Sequence, residues 1–175
     1  AKIAAEITIG NKIRDMNLVN NKQKGLIAVK KPVFPFDKFP KQNVFLSPEM
    51  KSTGEVIGFD SHLGSAYAKS ESGAGKSLPI SGNVFISVND IDKIKIITLA
   101  RDFIELGFNI IATKGTASLL NKNGLNAESI FKVGEGRPNV VDGIKNGKIQ
   151  LVINTPLGAQ SRYDEYKIGW ASIRY

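Results

Sequence analysis

The chain has 175 residues, of which 42% are hydrophobic, so it is long enough for one packed domain or a domain with a tail. It contains no cysteine, which excludes disulfide bonds and thiolate chemistry, and its single histidine excludes a multi-histidine metal site. The formal net charge is +8, but the basic residues are scattered and no aromatic–basic stacking motif is visible. We therefore expect no nucleic-acid partner.

The sequence pattern suggests neither a membrane span nor a signal peptide. No run of about 18 apolar residues suggests a membrane span, and the first residues lack the apolar core of a signal peptide. The sequence therefore predicts a soluble, cytoplasmic protein without membrane association.

The first 60 residues alternate short apolar stretches with polar loops. Apolar side chains stand at roughly helical spacing at Ile3, Ala4, Ile7 and Ile9. Gly10 should end that helix, and a polar loop at residues 17–25 should lead to a strand at residues 26–29. Residues 47–58 are typical of a passage from loop to strand, and Asp60 or Ser61 can cap a following helix.

Residues 31–40 carry three prolines and three phenylalanines. Proline excludes both a helix and a central strand, so the segment should be extended. It is either a linker anchored by phenylalanines or a seam between two domains, and in the second case Phe34, Phe36 and Phe39 would couple the domains.

Residues 72–77, Ser-Gly-Ala-Gly-Lys-Ser, imitate a phosphate-binding loop. The first glycine of that motif is replaced by Ser70, no strand precedes it, and Pro79 follows where a helix should begin. We interpret the segment as a flexible linker between two units.

From residue 82 onward, strands and helices alternate regularly. Strands are predicted at residues 84–88, 108–112, 129–133 and 149–153. Helices should begin at Asn89, Thr116, Asn139 and near Tyr166, and the first three should end at Gly107, Gly124 and Gly147. The expected buried face of the first helix is Ile91, Ile94, Ile97, Leu99 and Phe103. This order predicts an α/β fold, an open parallel sheet with helices on both faces, truncated before a further strand.

Polar side chains follow each of these four strands. Because the carboxyl ends of parallel strands meet at one edge, we expect a phosphate site there. Its candidate residues are Ser87, Lys93, Thr113, Lys114, Thr116, Lys132, Arg137, Asn154 and Thr155. The alternative is that these residues only cap helices and turns. With Glu135 as the nearby carboxylate and no histidine, the edge predicts a binding site rather than a reactive one.

Several motifs resemble the C-terminal part of the carbamoyl-phosphate synthase large subunit. They are Phe-Asp-Lys-Phe-Pro (36–40), Ser-Pro-Glu-Met-Lys-Ser-Thr-Gly-Glu-Val (47–56), Val-Gly-Glu-Gly-Arg-Pro (133–138), Ile-Lys-Asn-Gly (144–147) and Ile-Asn-Thr-Pro (153–156). The resemblance covers the whole chain. It implies that residues 1–78 are the tail of an ATP-grasp synthetase unit and that residues 82–175 are a methylglyoxal-synthase-like allosteric domain.

The resemblance also implies a function. This family makes carbamoyl phosphate from bicarbonate, glutamine-derived ammonia and two ATP, with Mg²⁺ or Mn²⁺, for pyrimidine and arginine biosynthesis. The implied partners are a small glutaminase subunit and the upstream synthetase domains, which hold the catalytic and ATP-binding residues, so this chain should have none. The allosteric domain binds UMP and, in some bacteria, IMP. These nucleotide contacts fall on Ser87, Lys93, Thr113, Thr116, Lys132, Asn154 and Thr155.

Two departures from the family pattern affect regulation. Lys31 replaces a glutamate that contacts ornithine in members activated by it, so the possible ornithine-site remnant is Lys31 and Phe34. Pro156 replaces a threonine that contacts the effector in some members.

Two other functions remain as alternatives. Methylglyoxal synthases share the fold, but their catalytic aspartate has no counterpart in the loop containing Arg137 and Pro138. The second alternative is a structural module that forms a homo-oligomer. This role is compatible with nucleotide binding.

Overall fold

The computed structural model describes residues 2–18, 25–36, 38, 39, 44, 46–157 and 159–175, with the side chains of 159–162 left out. Two antiparallel strands form a small sheet in the first part, and four parallel strands form the second sheet. The strands are β1 (Ile27–Val33), β2 (Gly54–Asp60), β3 (Asn83–Val88), β4 (Asn109–Thr113), β5 (Ala127–Ile130) and β6 (Leu151–Thr155). The helices are α1 (Lys2–Thr8), α2 (Leu63–Gly73), α3 (Lys93–Glu105), α4 (Lys114–Lys122), α5 (Val140–Lys145) and α6 (Ala159–Arg174).

Helix α1 ends before Gly10, as the sequence predicts, because Gly10 adopts the left-handed conformation with φ of 101°. None of its side chains is buried, and Ile9 is 80% exposed. Residues 19–24 of the predicted polar loop lie outside the described residues.

Strands β1 and β2 pair antiparallel, and α2 packs on one face of the pair. Strand β1 runs beyond the predicted residue 29 and includes Pro32, opposite Glu55. This is possible because both strands of a two-stranded sheet are edges, where a missing N–H is tolerated. Helix α2 approaches β2 so closely that a Cβ on Gly58 would lie 2.1 Å from the carbonyl oxygen of Ala66.

The start of α2 differs from the prediction. Its N-cap residue is His62, and no side chain caps the helix. Asp60 instead accepts a hydrogen bond from the His62 N–H at 3.1 Å and another from Lys69, and these bonds lower its pKa to about 2. His62 itself is exposed.

The predicted linker at residues 72–77 is partly helical, because α2 continues to Gly73. Beyond it, the ammonium of Lys76 donates to the carbonyl of Ile173, near the end of α6, at 3.1 Å. In the proline-rich segment, Phe34 and Phe36 stack with ring centroids 5.1 Å apart, and Phe39 is exposed. Asp37 and Pro40 lie outside the described residues, and the coupling role of this segment stays a prediction.

The second sheet confirms the predicted fold class. Its strand order is β5-β4-β3-β6, all neighbours are parallel, and helices cover both faces. Helices α3 and α4 pack on one face around Ile86 and Ile110, whereas α5 and α6 pack on the other around Phe85 and Ile111. Successive side chains along β3 and β4 point to opposite faces of the sheet, so each of these strands contributes to the hydrophobic cores on both faces.

The buried face of α3 was predicted only in part. Ile97 and Phe103 are partly buried against the core as predicted. Ile91, Ile94 and Leu99 are exposed, and Ile96 and Ala100 are buried instead. Apolar residues stand on more than one side of this helix, so periodicity alone does not decide which side meets the sheet.

Several element boundaries also differ. Strands β5 and β6 lie about two residues from their predicted positions, and α6 begins at Ala159 rather than near Tyr166. The predicted helix ends at Gly107, Gly124 and Gly147 are confirmed, since each has a positive φ just after a helix. No helix in the described part of the chain is long and apolar enough to cross a bilayer.

Candidate functional site

A cleft of about 270 Å³ opens at the carboxyl edge of the parallel sheet. It is lined by all seven residues of the predicted nucleotide site, namely Ser87, Lys93, Thr113, Thr116, Lys132, Asn154 and Thr155. Lys114 and Arg137, which the sequence placed at the same edge, line two other cavities instead. The structure therefore brings together the seven residues, and their role in binding stays a prediction.

The centre of the cleft is the junction between β4 and α4. Thr113 and Thr116 are buried there, with 4% and 1% of their surfaces exposed. Their hydroxyl oxygens lie 3.5 Å apart, at the long limit of a hydrogen bond, so both hydroxyls have capacity left for a ligand.

Helix α4 begins at Lys114, two residues before the predicted start, because Thr113 in an extended conformation is its N-cap residue. The first N–H groups of a helix have no partner within it, and the helix dipole adds positive potential. The beginning of α4 therefore offers an anion both hydrogen-bond donors and favourable charge.

Two lysines contribute positive charge to the cleft. Lys93, the first residue of α3, forms an ion pair with Asp90. Its ammonium reaches the beginning of α4, where it lies 3.9 Å from the place that a Cβ on Gly115 would occupy. Lys132 follows β5, and its backbone N–H donates to Glu135 at 3.1 Å. A ligand at the α4 terminus would meet cations from two different elements.

The third side of the cleft is formed by β3 and β6. Ser87 is opposite Asn154, and Val88 is opposite Thr155, because the two strands pair in parallel register. The Thr155 hydroxyl accepts hydrogen bonds at 3.2 Å from both the backbone and the side chain of Asn89. Thr155 therefore fixes the loop that leads into α3, in addition to lining the cleft.

Asn89 does not cap α3 as predicted. The N-cap residue is Asp92, and Asn89 instead closes the preceding turn by accepting from the N–H groups of Ile91 and Asp92. This turn determines where α3 begins and therefore where Lys93 enters the cleft.

Part of the chain matches a known protein family. Residues 95–175 match the family described as the MGS-like domain. The chain is 50% identical over 99% of its length to the carbamoyl phosphate synthase large chain of Acidobacterium capsulatum. It is 47% identical over its full length to that of Nostoc, and 46% identical to the C-terminal section of the large chain from Aquifex aeolicus.

Residues 95–175 are an MGS-like domain. The whole chain is homologous to part of the carbamoyl phosphate synthase large chain, and it spans 16% of the length of the Acidobacterium and Nostoc relatives. It spans 36% of the Aquifex protein. The residues that match the family begin after β3. Because β3 lies between β4 and β6 in the parallel sheet, it belongs to the same sheet as the matched strands.

The structure adds cleft residues that the sequence analysis missed. The buried side chains of Phe85, Val140 and Ile168 lie directly behind the surface of the cleft, and α6 contributes a carboxylate, Asp164. Because α6 was predicted to begin near Tyr166, Asp164 was assigned to a loop. The missed signal is the four-residue spacing of Asp164 and Ile168, which places both on one helix face.

The carboxylates of the cleft also differ from the prediction. Asp90 and Asp164 line it, whereas Glu135 lines a different cavity. Burial raises the pKa of Asp164, nearby Lys132 and Lys167 oppose the rise, and Glu135 adds to it. The hydrogen bond from Lys93 lowers the pKa of Asp90. In the described part of the chain, no cluster of three or more histidine or acidic side chains suits a metal ion.

The proposed ornithine-site residues lie on or beside the small sheet of the first part. Lys31 forms an ion pair with Glu71 of α2, and Glu71 is 8% exposed. A hydrogen bond to Glu71 raises the pKa of Tyr67. Phe34 stacks on Phe36. The positive charge of Lys31 is therefore balanced within the protein by a carboxylate from a neighbouring element.

Proposed function

We propose that this chain is a regulatory region of a carbamoyl-phosphate synthase large subunit and that its cleft binds nucleoside monophosphates, UMP in particular. The observation that carries the proposal is the junction of β4 and α4. There, two buried threonine hydroxyls and the free N–H groups of a helix face the same cleft as Lys93 and Lys132. These are the donors and charges that a phosphate monoester requires.

The remainder of the cleft suits the nucleoside. Val88, Pro156 and Leu157, which keep exposed surface, supply apolar contacts for a base. Asp164 and Asn154 supply groups that accept hydrogen bonds from ribose hydroxyls. A ligand with an anionic end, a polar middle and a flat apolar end uses each part of the cleft. Inorganic phosphate would use only one part, so UMP should bind more tightly. IMP is the second expected effector.

For the longer protein, we propose the activity implied by the homology. It is the ATP-dependent synthesis of carbamoyl phosphate from bicarbonate and glutamine-derived ammonia, with Mg²⁺ or Mn²⁺, a small glutaminase subunit and synthetase domains outside this chain. The relatives are named as large chains of that enzyme, which supports the proposal. The catalytic residues belong to those other domains, and the nucleotide acts by shifting their conformational equilibrium.

Calorimetric titration of the chain with UMP and IMP tests the proposal. Lys93→Ala should weaken UMP binding at least tenfold, because it removes a cation that reaches the phosphate position. Lys95→Ala is the matched control, since Lys95 is an exposed lysine on the same helix and does not line the cleft. No UMP binding by the unmodified chain, or equal loss in both variants, would overturn the proposal.

A phosphate lyase of the methylglyoxal-synthase type is the second candidate, and one observation favours it. Asp164 has a raised pKa within a cleft that suits phosphate, which is a property of many general acids and bases. The test is release of inorganic phosphate from a triose phosphate. Release that Asp164→Asn abolishes would support the lyase, and no release would leave the regulatory proposal.

A homo-oligomer formed through the MGS-like domain is compatible with either function. Light scattering of the purified chain with and without UMP measures it directly. A single molecular mass equal to the monomer under both conditions would exclude it.

A further inference from the structure

A second cavity, of about 420 Å³, lies between α5 and α6. We call it the α5–α6 groove, and its polar and aromatic lining includes Arg137, Asp142, Lys145, Tyr166, Lys167 and Trp170. None of these residues lines the nucleotide cleft, although the same two helices contribute to both. The groove is therefore a separate cavity with its own chemistry.

The charge of the groove favours an anion. Among the residues that the structure describes, Arg137, Lys145 and Lys167 line it, against a single carboxylate, that of Asp142. That carboxylate is already engaged, because it accepts a hydrogen bond at 3.0 Å from the Asn139 N–H in the cap of α5. It lies 3.8 Å from the Arg137 guanidinium, a long contact with an 84% exposed side chain. The groove therefore carries an excess of positive charge.

The shape and surface of the groove favour a ring. Trp170 and Tyr166 supply aromatic surface, and Val133 and Val141, which are partly exposed, and Ala171, which is buried, supply aliphatic surface. The guanidinium of Arg174 lies 4.8 Å from the centre of the Trp170 ring, a cation–π contact that favours this orientation of the ring. A rigid aromatic wall beside cations recognises a flat apolar group that carries a negative charge.

We propose that the α5–α6 groove is a binding site for a small aromatic carboxylate. The ring packs against Trp170 and Tyr166, and the carboxylate meets Arg137 and Lys145 at the rim. The volume of the groove suits a ligand with one or two fused rings. This site is additional to the nucleotide cleft and does not depend on the cleft's function.

The chain contains one tryptophan, so Trp170 gives the single indole N–H signal in a ¹H–¹⁵N spectrum. Three probes separate ring from charge, namely 1-naphthoate, the neutral 1-naphthamide and acetate. We expect 1-naphthoate to shift the indole signal saturably with a stoichiometry of one. Naphthamide and acetate should each bind at least tenfold more weakly. Equal binding of naphthoate and naphthamide, or of naphthoate and acetate, would overturn the proposal.

Two double variants test the location. Arg137→Gln/Lys145→Gln should weaken naphthoate binding at least tenfold. The control variant, Lys95→Gln/Lys122→Gln, removes the same amount of positive charge away from the groove. Lys122 lies in the last turn of α4, as Lys145 does in α5. We expect the affinity of this control for naphthoate to change less than twofold. Saturating UMP should not displace naphthoate. Displacement by UMP, or equal effects of the two double variants, would place the probe outside the groove and contradict the proposal.

Discussion

The hydroxyl oxygens of Thr113 and Thr116 lie 3.5 Å apart, one at the end of β4 and the other in the first turn of α4. Thr116→Val keeps the shape of the buried side chain and removes its hydroxyl. We expect UMP binding to weaken by about 1–3 kcal/mol, or roughly fivefold to 150-fold, because the phosphate loses a donor at a buried position. Calorimetry measures the change.

Thr98→Val is the control for this substitution, because Thr98 is an exposed residue of α3. The folding stability of the Thr116 variant should stay near that of the unmodified chain, since its hydroxyl makes only a long contact with Thr113. Unchanged UMP affinity would show that phosphate does not reach the junction of β4 and α4.

Lys93 shares its charge between the cleft and Asp90. Asp90→Asn removes this competing carboxylate, so the affinity for UMP should rise about twofold to tenfold, as expected for a charge pair in partial contact with water. In the Lys93→Ala background, Asp90→Asn should have a much smaller effect. Equal gains in both backgrounds would show that Asp90 acts on the ligand independently of Lys93.

We expect Asp164 to make anion binding in the cleft depend on pH. Its pKa is raised, so as the pH falls through that value the carboxyl becomes neutral and its repulsion of a bound anion disappears. Sulfate is the suitable probe, because its charge is constant from pH 4 to 8. We expect sulfate to bind more tightly as the pH falls in the unmodified chain, and this component should be absent in Asp164→Asn.

The same shift has a consequence for folding. A carboxyl whose pKa is raised in the folded state contributes most to stability below its ordinary pKa, and this contribution is lost as the pH rises through the raised value. Asp164→Asn should therefore flatten the decline of stability with pH over that interval. A decline identical in both proteins would assign it to other groups.

Substitution of Gly58 tests the contact between β2 and α2. An alanine there would place its Cβ 2.1 Å from the carbonyl oxygen of Ala66 and 2.7 Å from the backbone nitrogen of Ser70, so the helix would have to move. We expect Gly58→Ala to lower the free energy of unfolding of this part by about 1–3 kcal/mol. Gly54→Ala, in the same strand with no atom within 4 Å, should change it by less than about 0.5 kcal/mol.

Hydrogen exchange at β1 and β2, compared with β3 and β4, is the appropriate measurement. Faster exchange confined to β1 and β2 would show that the small sheet with α2 opens separately from the parallel sheet. Equal changes throughout would show that the two parts unfold together. No change in either part would contradict the close approach of α2 to β2.

The sequence by itself determined the alternation of strands and helices after residue 82, because the signals are local. Gly107, Gly124 and Gly147 end helices through a positive φ, and Asn139 caps α5 with its own side chain. It also predicted seven of the residues that line the cleft, because parallel strands bring their carboxyl ends to one edge, although Lys114 and Arg137, predicted at the same edge, line other cavities. An error of two residues in β5 or β6 did not change that set.

Only the tertiary structure decided the remaining features, because they depend on which surfaces meet. Periodicity predicted Ile94 on the buried face, but contact with β3 and β4 buries Ile96 instead. The presence of Asp164 in the cleft depends on how α6 packs across Phe85 and Ile111, far away in sequence. The sequence of a helix shows which of its residues are apolar or polar. Which element packs against each face is decided only when the whole chain folds.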